Sequence, residues 1–270
     1  MRCHMNAIEK VLTARDKTRP KITDYIDNVF TDFFEQKGDM LGKEDASIYG
    51  GIALFQGKPV TVIGHRKGND VNENITCNFG MPGPEGYRKA LRLMKQAEKF
   101  GRPIITFVDT PGAYPGLEAE TYGISQAISG NLAAMSSLKV PVITIVTGEG
   151  SSGGALGIAV ANKVYMLENA VYSVLSPEGF ASILWSDSSR RDEAAEAMKL
   201  TADDLLEFGV IDGIIPERGL YLRISKVIEK TLKELKGMTG EELAQDRFNK
   251  FRSFDESFLQ KASSARMENV

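Results

Sequence analysis

The stretch from Ile104 to Val160 holds the residues best suited to chemistry. An apolar run, Ile104-Ile105-Thr106-Phe107-Val108, empties into Asp109-Thr110-Pro111-Gly112-Ala113-Tyr114-Pro115-Gly116. A second apolar run, Val140 to Val146, empties into Gly148-Glu149-Gly150-Ser151-Ser152-Gly153-Gly154-Ala155-Leu156-Gly157. Glycine-rich loops at strand ends bring bare backbone N–H groups close to a ligand, where they hold an anion. A phosphate loop would need a Lys after its last glycine, and none stands there. Gly148-Glu149-Gly150-Ser151-Ser152-Gly153 has the spacing of a dinucleotide fingerprint, with Glu168 as its candidate acidic partner. It falls late in the chain, however, and not in a first βαβ unit. Serine hydrolysis would need a histidine base, and the only two are His4 and His65. Ser152 has the Gly-x-Ser-x-Gly spacing in Gly150-Ser151-Ser152-Gly153-Gly154 and Ser151 does not, so the case against hydrolysis rests on the base. The third chemistry needs no titrating side chain. Backbone amides of Gly153, Gly154 and Ala155, at the start of a helix, would stabilise an oxyanion, helped by the helix dipole. The same glycines would also serve close helix–sheet packing, and residue chemistry alone leaves both open.

Bulk properties narrow the setting. The formal charge of −3, from 33 basic and 36 acidic residues, gives no electrostatic case for a nucleic-acid partner. The two cysteines, Cys3 and Cys77, are too few for a disulfide framework or an all-cysteine zinc site. The first residues lack the apolar run of a signal peptide, and no stretch is apolar enough to span a membrane. The expectation is a cytoplasmic α/β protein with no metal on this chain.

The elements that position the two loops follow from periodicity. Residues about 6–36 read as a helical lead, with Ile22, Tyr25, Ile26, Val29, Phe30, Phe33 and Phe34 on one face. Ile48–Phe55 and Val60–Ile63 flank Gln56-Gly57-Lys58-Pro59 as a hairpin. His65–Phe79 reads as a long loop. A helix from Pro84 to about Phe100 buries Tyr87, Ala90, Leu91, Met94 and Ala97 and leaves Arg88, Lys89, Arg92 and Lys95 solvated. A helix over about 118–138 carries Ile124, Ile128, Leu132 and Met135. Gly153–Val160 reads as a small-residue buried helix, followed by strands at 164–167 and 171–174. Ser176-Pro177-Glu178 is a helix start. Short helices near 192–198 and 202–208, a strand at 210–216 and helices about 220–235 and 240–260 complete one domain over 1–270. The alternation predicts an α/β core with a largely parallel sheet and added helices at both termini.

Several runs resemble the α subunit of bacterial acetyl-CoA carboxylase carboxyltransferase. They are Ile104 to Gly116, Gly148 to Leu156, Tyr172 to Trp185, Asn78 to Met94 and Pro59 to His65, within a likeness from about Leu12 to Leu235. The resemblance implies a crotonase-like fold of stacked ββα units. It implies transfer of a carboxyl group from carboxybiotin to acetyl-CoA, giving malonyl-CoA for fatty-acid synthesis. It implies partners too: a zinc-bearing β subunit in an α2β2 assembly, a biotin carboxyl carrier protein, and a biotin carboxylase that uses the ATP. In such an enzyme the α half holds biotin, and the freed biotin takes the methyl proton of acetyl-CoA, so no side-chain base is required. By this likeness Gly153, Gly154 and Ala155 are the catalytic amides. Gly112, Ala113, Tyr114, Gly150 and Ser152 line the substrate. The chain departs from the family pattern at Thr121-Tyr122, at Gly83 and around Asp39–Asp45.

Overall fold

The computed structural model describes residues 5–267, with side-chain surroundings to residue 254; Cys3 and His4 lie outside the described residues. In chain order the elements begin with α1 (Ala7–Ala14), α2 (Ile22–Val29), β1 (Thr31–Glu35), β2 (Ile48–Phe55), β3 (Lys58–His65), α3 (Val71–Thr76) and α4 (Pro84–Lys99). Then come β4 (Ile104–Thr110), α5 (Leu117–Thr121), α6 (Ile124–Ser137), β5 (Val142–Ser151), α7 (Ser152–Leu156), β6 (Lys163–Leu167) and β7 (Val171–Ser173). The chain continues through α8 (Pro177–Trp185), α9 (Arg191–Met198), α10 (Ala202–Glu207), β8 (Gly213–Ile215), α11 (Leu220–Leu235) and α12 (Gly240–Met267).

The strands form one eight-stranded sheet in the order β1-β2-β3-β4-β5-β6-β8, with β7 added beside the end of β5. The β1-β2-β3 edge is antiparallel and the rest is parallel. Strands β4 and β5 are buried at every residue, as expected for parallel strands covered on both faces. One face carries Gly64 and Phe107; Ile22 of α2 packs onto Gly64, and Tyr25 stacks on Phe107 at 5.2 Å between ring centroids. On the opposite face Leu93 of α4 packs onto Gly50, and α4 in turn packs on α6.

The helical lead ends sooner than its periodicity suggests. Phe30 turns extended (φ −122°, ψ 167°), and Phe33 and Phe34 belong to β1, paired antiparallel with β2. Gly51 makes room there, since a Cβ on it would strike the Phe34 carbonyl. The expected helix over 118–138 is two helices, broken at Gly123 in the left-handed region (φ +82°). Its buried face is Ala127, Asn131 and Met135, with Ile124, Ile128 and Leu132 half-buried. The expected loop over 65–79 contains α3, capped by the Asp70 carboxylate accepting from the Glu73 amide at 2.8 Å. Lys89, expected in solvent, is fully buried; its ammonium donates to the Ile48 carbonyl at 2.8 Å and to Glu44 at 2.5 Å.

Candidate active site

Strands β4 and β5 are parallel neighbours, with Val108 beside Val146 and Thr110 beside Gly150. Both loops therefore leave the same edge of the sheet, outside the carboxyl ends of its strands, where ligands of open α/β sheets bind. The second loop is not a loop throughout. Gly148 to Ser151 continue β5, and β7 pairs with them at Glu149↔Val171, Gly150↔Tyr172 and Ser151↔Ser173. Here glycine makes room for neighbours. A Cβ on Gly148 would strike the Asp109 carboxylate, and one on Gly150 would lie 2.9 Å from the Tyr172 ring.

The chain turns sharply at Ser152, which sits at φ 54° and is exposed. Left-handed backbone at a non-glycine residue is uncommon and costs energy, which tertiary structure must hold. The turn starts α7, and α7 meets the first loop at once. A Cβ on Gly154 would lie 2.5 Å from the Ala113 nitrogen and the Gly112 carbonyl carbon. Only glycine allows that approach. A Cβ on Gly153, by contrast, would find nothing nearer than Ile128 at 3.8 Å.

Backbone amides can now be accounted for one by one. A helix beginning at Ser152 leaves the amides of Ser152, Gly153 and Gly154 without an i−4 carbonyl and directs that of Ala155 at Ser151. The Ser151 side chain caps none of them. In the facing turn, the Gly112 amide donates to Thr110 Oγ1 at 3.0 Å and the Tyr114 amide to the Pro82 carbonyl at 2.9 Å. The Ala113 amide between them has no protein acceptor among the described residues. Two separate segments thus lie against each other at Gly154 and Ala113, each with a backbone N–H that has no protein acceptor among the described residues.

The remaining site residues separate. Ser152 and Gly153 line a shallow apolar cavity of about 270 Å³ with Leu156, Tyr172, Val174 and Val210. Gly150 is buried in β5 and does not line it. Tyr114 lines a different, polar cavity of about 310 Å³ with Lys43, Gly83, Glu85 and Tyr122. That second cavity brings together Gly83, Tyr122 and the stretch Lys43–Asp45. The Lys43 ammonium is 3.7 Å from the Tyr122 ring centroid and 3.0 Å from Glu85, and Gly83 leaves room for the Glu85 carboxylate.

Beneath the two loops lies a charge network that the sequence did not announce. Lys67, just past β3, donates to Asp109 at 2.6 Å and reaches Glu149 at 3.3 Å. Arg15 donates to Glu149 at 2.7 Å and to Glu178 at 2.9 Å. Burial works against the Lys67 charge, but Asp109 and Glu149 outweigh it and its pKa is raised. Glu149, four residues before Gly153, is a carboxylate close to these amides in sequence. It is buried and shared by two cations. His65 closes β3 and is fully enclosed. Burial is the main cause holding its pKa down, to about 4, so the ring is neutral at ordinary pH. Its ring nitrogens make no hydrogen bond of good geometry, although the Gly154 and Phe107 backbones lie beside the ring. Among the described residues no cluster of His, Cys, Asp or Glu could hold a metal, and no helix is long and apolar enough to cross a membrane.

Comparison with known proteins gives consistent answers. The family model described as acetyl co-enzyme A carboxylase carboxyltransferase-like matches residues 2–255. The acetyl-coenzyme A carboxylase carboxyl transferase subunit alpha of Bacillus cereus (strain G9842) is 55% identical over 264 residues, covering 94% of this chain and 82% of that protein. The protein of the same name from Bacillus cytotoxicus is 54% identical over 269 residues, covering 96% and 83%. Among solved structures, transcarboxylase 12S superposes with a TM-score of 0.70 at 20% identity, over 85% of this chain and 44% of that one. A chain of a Pseudomonas malonate decarboxylase hetero-tetramer superposes with a TM-score of 0.65 at 18% identity, over 81% and 92%. These two likenesses speak for the fold, and with the sheet topology they give the crotonase-like α/β class.

Proposed function

The chain belongs to the acetyl co-enzyme A carboxylase carboxyltransferase-like family and acts as the α-type half of a carboxyl transferase for acetyl-CoA; on that premise we propose how its residues divide the work. The amides of Gly153 and Gly154, joined by that of Ala113 from the facing turn, hold the oxygen on which negative charge develops during carboxyl transfer. The observation that carries this is the unpartnered Ala113 amide lying against Gly154. Ala155 and Gly112 hold the two segments in shape, since their amides are directed at Ser151 and Thr110. Ser152 stands on the rim of the apolar cavity, Tyr114 extends the wall towards the polar one, and Gly150 is packing for Tyr172.

Biotin suits this geometry. Its ureido group offers a small oxygen acceptor to unspent N–H donors, and the open side of Gly153 leaves space for a ring system. When bound on its separate carrier protein, carboxybiotin supplies the carboxyl group. The chain's own contribution is to orient the ureido oxygen and to stabilise negative charge there without solvent rearrangement. Loss of one such donor typically costs ~2.7–4 kcal/mol of barrier. No side chain of this chain is assigned as a base. Glu149, which a lone hydratase or isomerase would need, is committed to Arg15 and Lys67.

The site is half of an active centre in this proposal. A zinc-bearing β-type subunit supplies the acetyl-CoA half, in an α2β2 assembly in the cytoplasm. A biotin carboxyl carrier protein and an ATP-using biotin carboxylase feed it. Exposed apolar side chains support a covering partner. Val174 lines the cavity at Gly153, and Ile183 and Leu184 project from the nearby α8. Mixing the chain with its β partner and measuring malonyl-CoA formation tests the proposal. Activity from the mixture and none from either chain alone is expected; a soluble, assembled, inactive complex would sink it.

A further inference from the structure

Helix α7 has little rigidity of its own. Gly153 and Gly154 lie inside it and Gly157 caps it, and glycine brings no helical preference. Its carbonyls also lose their usual partners early. The Ile158 amide donates to the Ala155 carbonyl at 3.2 Å. The Gly154 carbonyl is thereby left without the i+4 donor that a longer helix would give it. Two buried side chains from different helices take over. Tyr87 of α4 donates its hydroxyl to the Gly154 carbonyl at 3.0 Å. Asn131 of α6 donates its side-chain amide to the Gly157 carbonyl at 2.9 Å. Both are fully enclosed, and the Tyr87 ring lies against Gly157, where a Cβ would come within 2.6 Å of it.

We propose that Tyr87 and Asn131 are positioning residues that pin the glycine-rich α7 by its carbonyls and so aim the Gly153 and Gly154 amides at the reacting oxygen. The inference rests on the amide-hole assignment above. A buried carbonyl must find a donor. Without the Tyr87 hydroxyl only the poorly aligned His65 ring lies beside that carbonyl, so the peptide after Gly154 turns to seek a donor and the amides ahead of it turn with it. The ground state binds through other contacts, whereas the oxyanion depends on these amides together with that of Ala113. The loss therefore falls on the chemical step rather than on substrate affinity.

The test uses the assembled α/β complex with Tyr87→Phe, which keeps the ring against Gly157 and removes only the hydroxyl, and Asn131→Leu. The expected result is a fall in kcat of about tenfold for Tyr87→Phe, with KM for acetyl-CoA within about twofold of wild type. Infrared spectra of bound, carbonyl-labelled biotin give a second readout. The ureido stretch, lowered in the wild type by the amides, moves back towards its free value in Tyr87→Phe. Unchanged kcat and an unchanged stretch in Tyr87→Phe overturn the inference, and so does a kcat loss explained entirely by a smaller folded fraction. Should Asn131→Leu fail to assemble, Tyr87→Phe decides alone. Gly154→Ala in the same assay separates the two levels. If it is inactive while Tyr87→Phe is normal, only the pinning role fails; if it too is normal, the amide hole itself is wrong.

Discussion

Replacing Gly154 with alanine adds one methyl group at the closest approach in the site. That Cβ would lie 2.5 Å from the Ala113 nitrogen and 2.9 Å from Gly112 Cα. Ordinary contacts at such atoms start near ~3.4 Å, so α7 and the facing turn must separate by roughly 1 Å, because neither backbone has a flexible end that could yield. A shift of that size carries the Gly154 and Ala113 amides out of joint reach of one oxygen. Misplacement by about 1 Å costs on the order of 10²-fold in rate, in line with the ~2.7–4 kcal/mol seen for loss of one oxyanion donor. The assay is steady-state malonyl-CoA formation by the assembled complex, with thermal unfolding and gel filtration run on the same samples. Gly153→Ala is the matched control for packing, since its Cβ meets nothing in the chain nearer than 3.8 Å. It should fold and assemble as wild type, so any loss it shows reports on substrate at that face. A Gly154→Ala complex within about threefold of wild-type kcat would refute the reasoning, because a tenfold change is only ~1.4 kcal/mol of barrier.

Other consequences follow from the buried charges. His65 titrates near 6.5 when unfolded and at about 4 when folded, so between those values the unfolded chain binds a proton that the folded chain refuses. Stability is fully present above that window and falls as pH drops through it, by up to about 3 kcal/mol for this group. Urea unfolding at pH 7 and at pH 4 should show a steeper loss in wild type than in His65→Leu, and equal losses would contradict the assignment. Lys67→Met leaves Asp109 without its ammonium partner and Glu149 with Arg15 alone. Removing one partner of a buried ion group costs about 3–5 kcal/mol, so the urea midpoint should fall sharply. A change below about 1 kcal/mol would show that the network is not structural.

How far the sequence discloses these features depends on whether their cause is local. The parallel core was legible because β4 and β5 are apolar at consecutive positions, which only strands buried on both faces tolerate. The cap at Ser176 was legible for the same reason; its hydroxyl accepts from the Gly179 amide at 3.1 Å, three residues along the chain. Strand β1 was not. Phe33 and Phe34 continue the helical stripe of α2, and only pairing with β2, distant in sequence, draws their segment into the sheet. The glycines at 148 and 150 look like a flexible loop in sequence. They are strand residues cut small for Asp109 and Tyr172, and that cause lies on other segments. Lys89 fits the solvent side of an amphipathic helix until Glu44 and the Ile48 carbonyl are folded over it. Asn131 did leave a trace. It is a polar residue between Ala127 and Met135 on a buried helical face, and such a residue needs a partner. Tyr87 left none, since its spacing is that of ordinary core.

The most direct test is a structure of the assembled α/β complex with biotin bound. The ureido oxygen is expected within about 2.7–3.1 Å of the Ala113 nitrogen and of the Gly153 or Gly154 nitrogen, the range in which such donors act. A bound biotin whose ureido oxygen lies beyond about 4 Å from all three amides, in a complex that makes malonyl-CoA, would contradict the assignment.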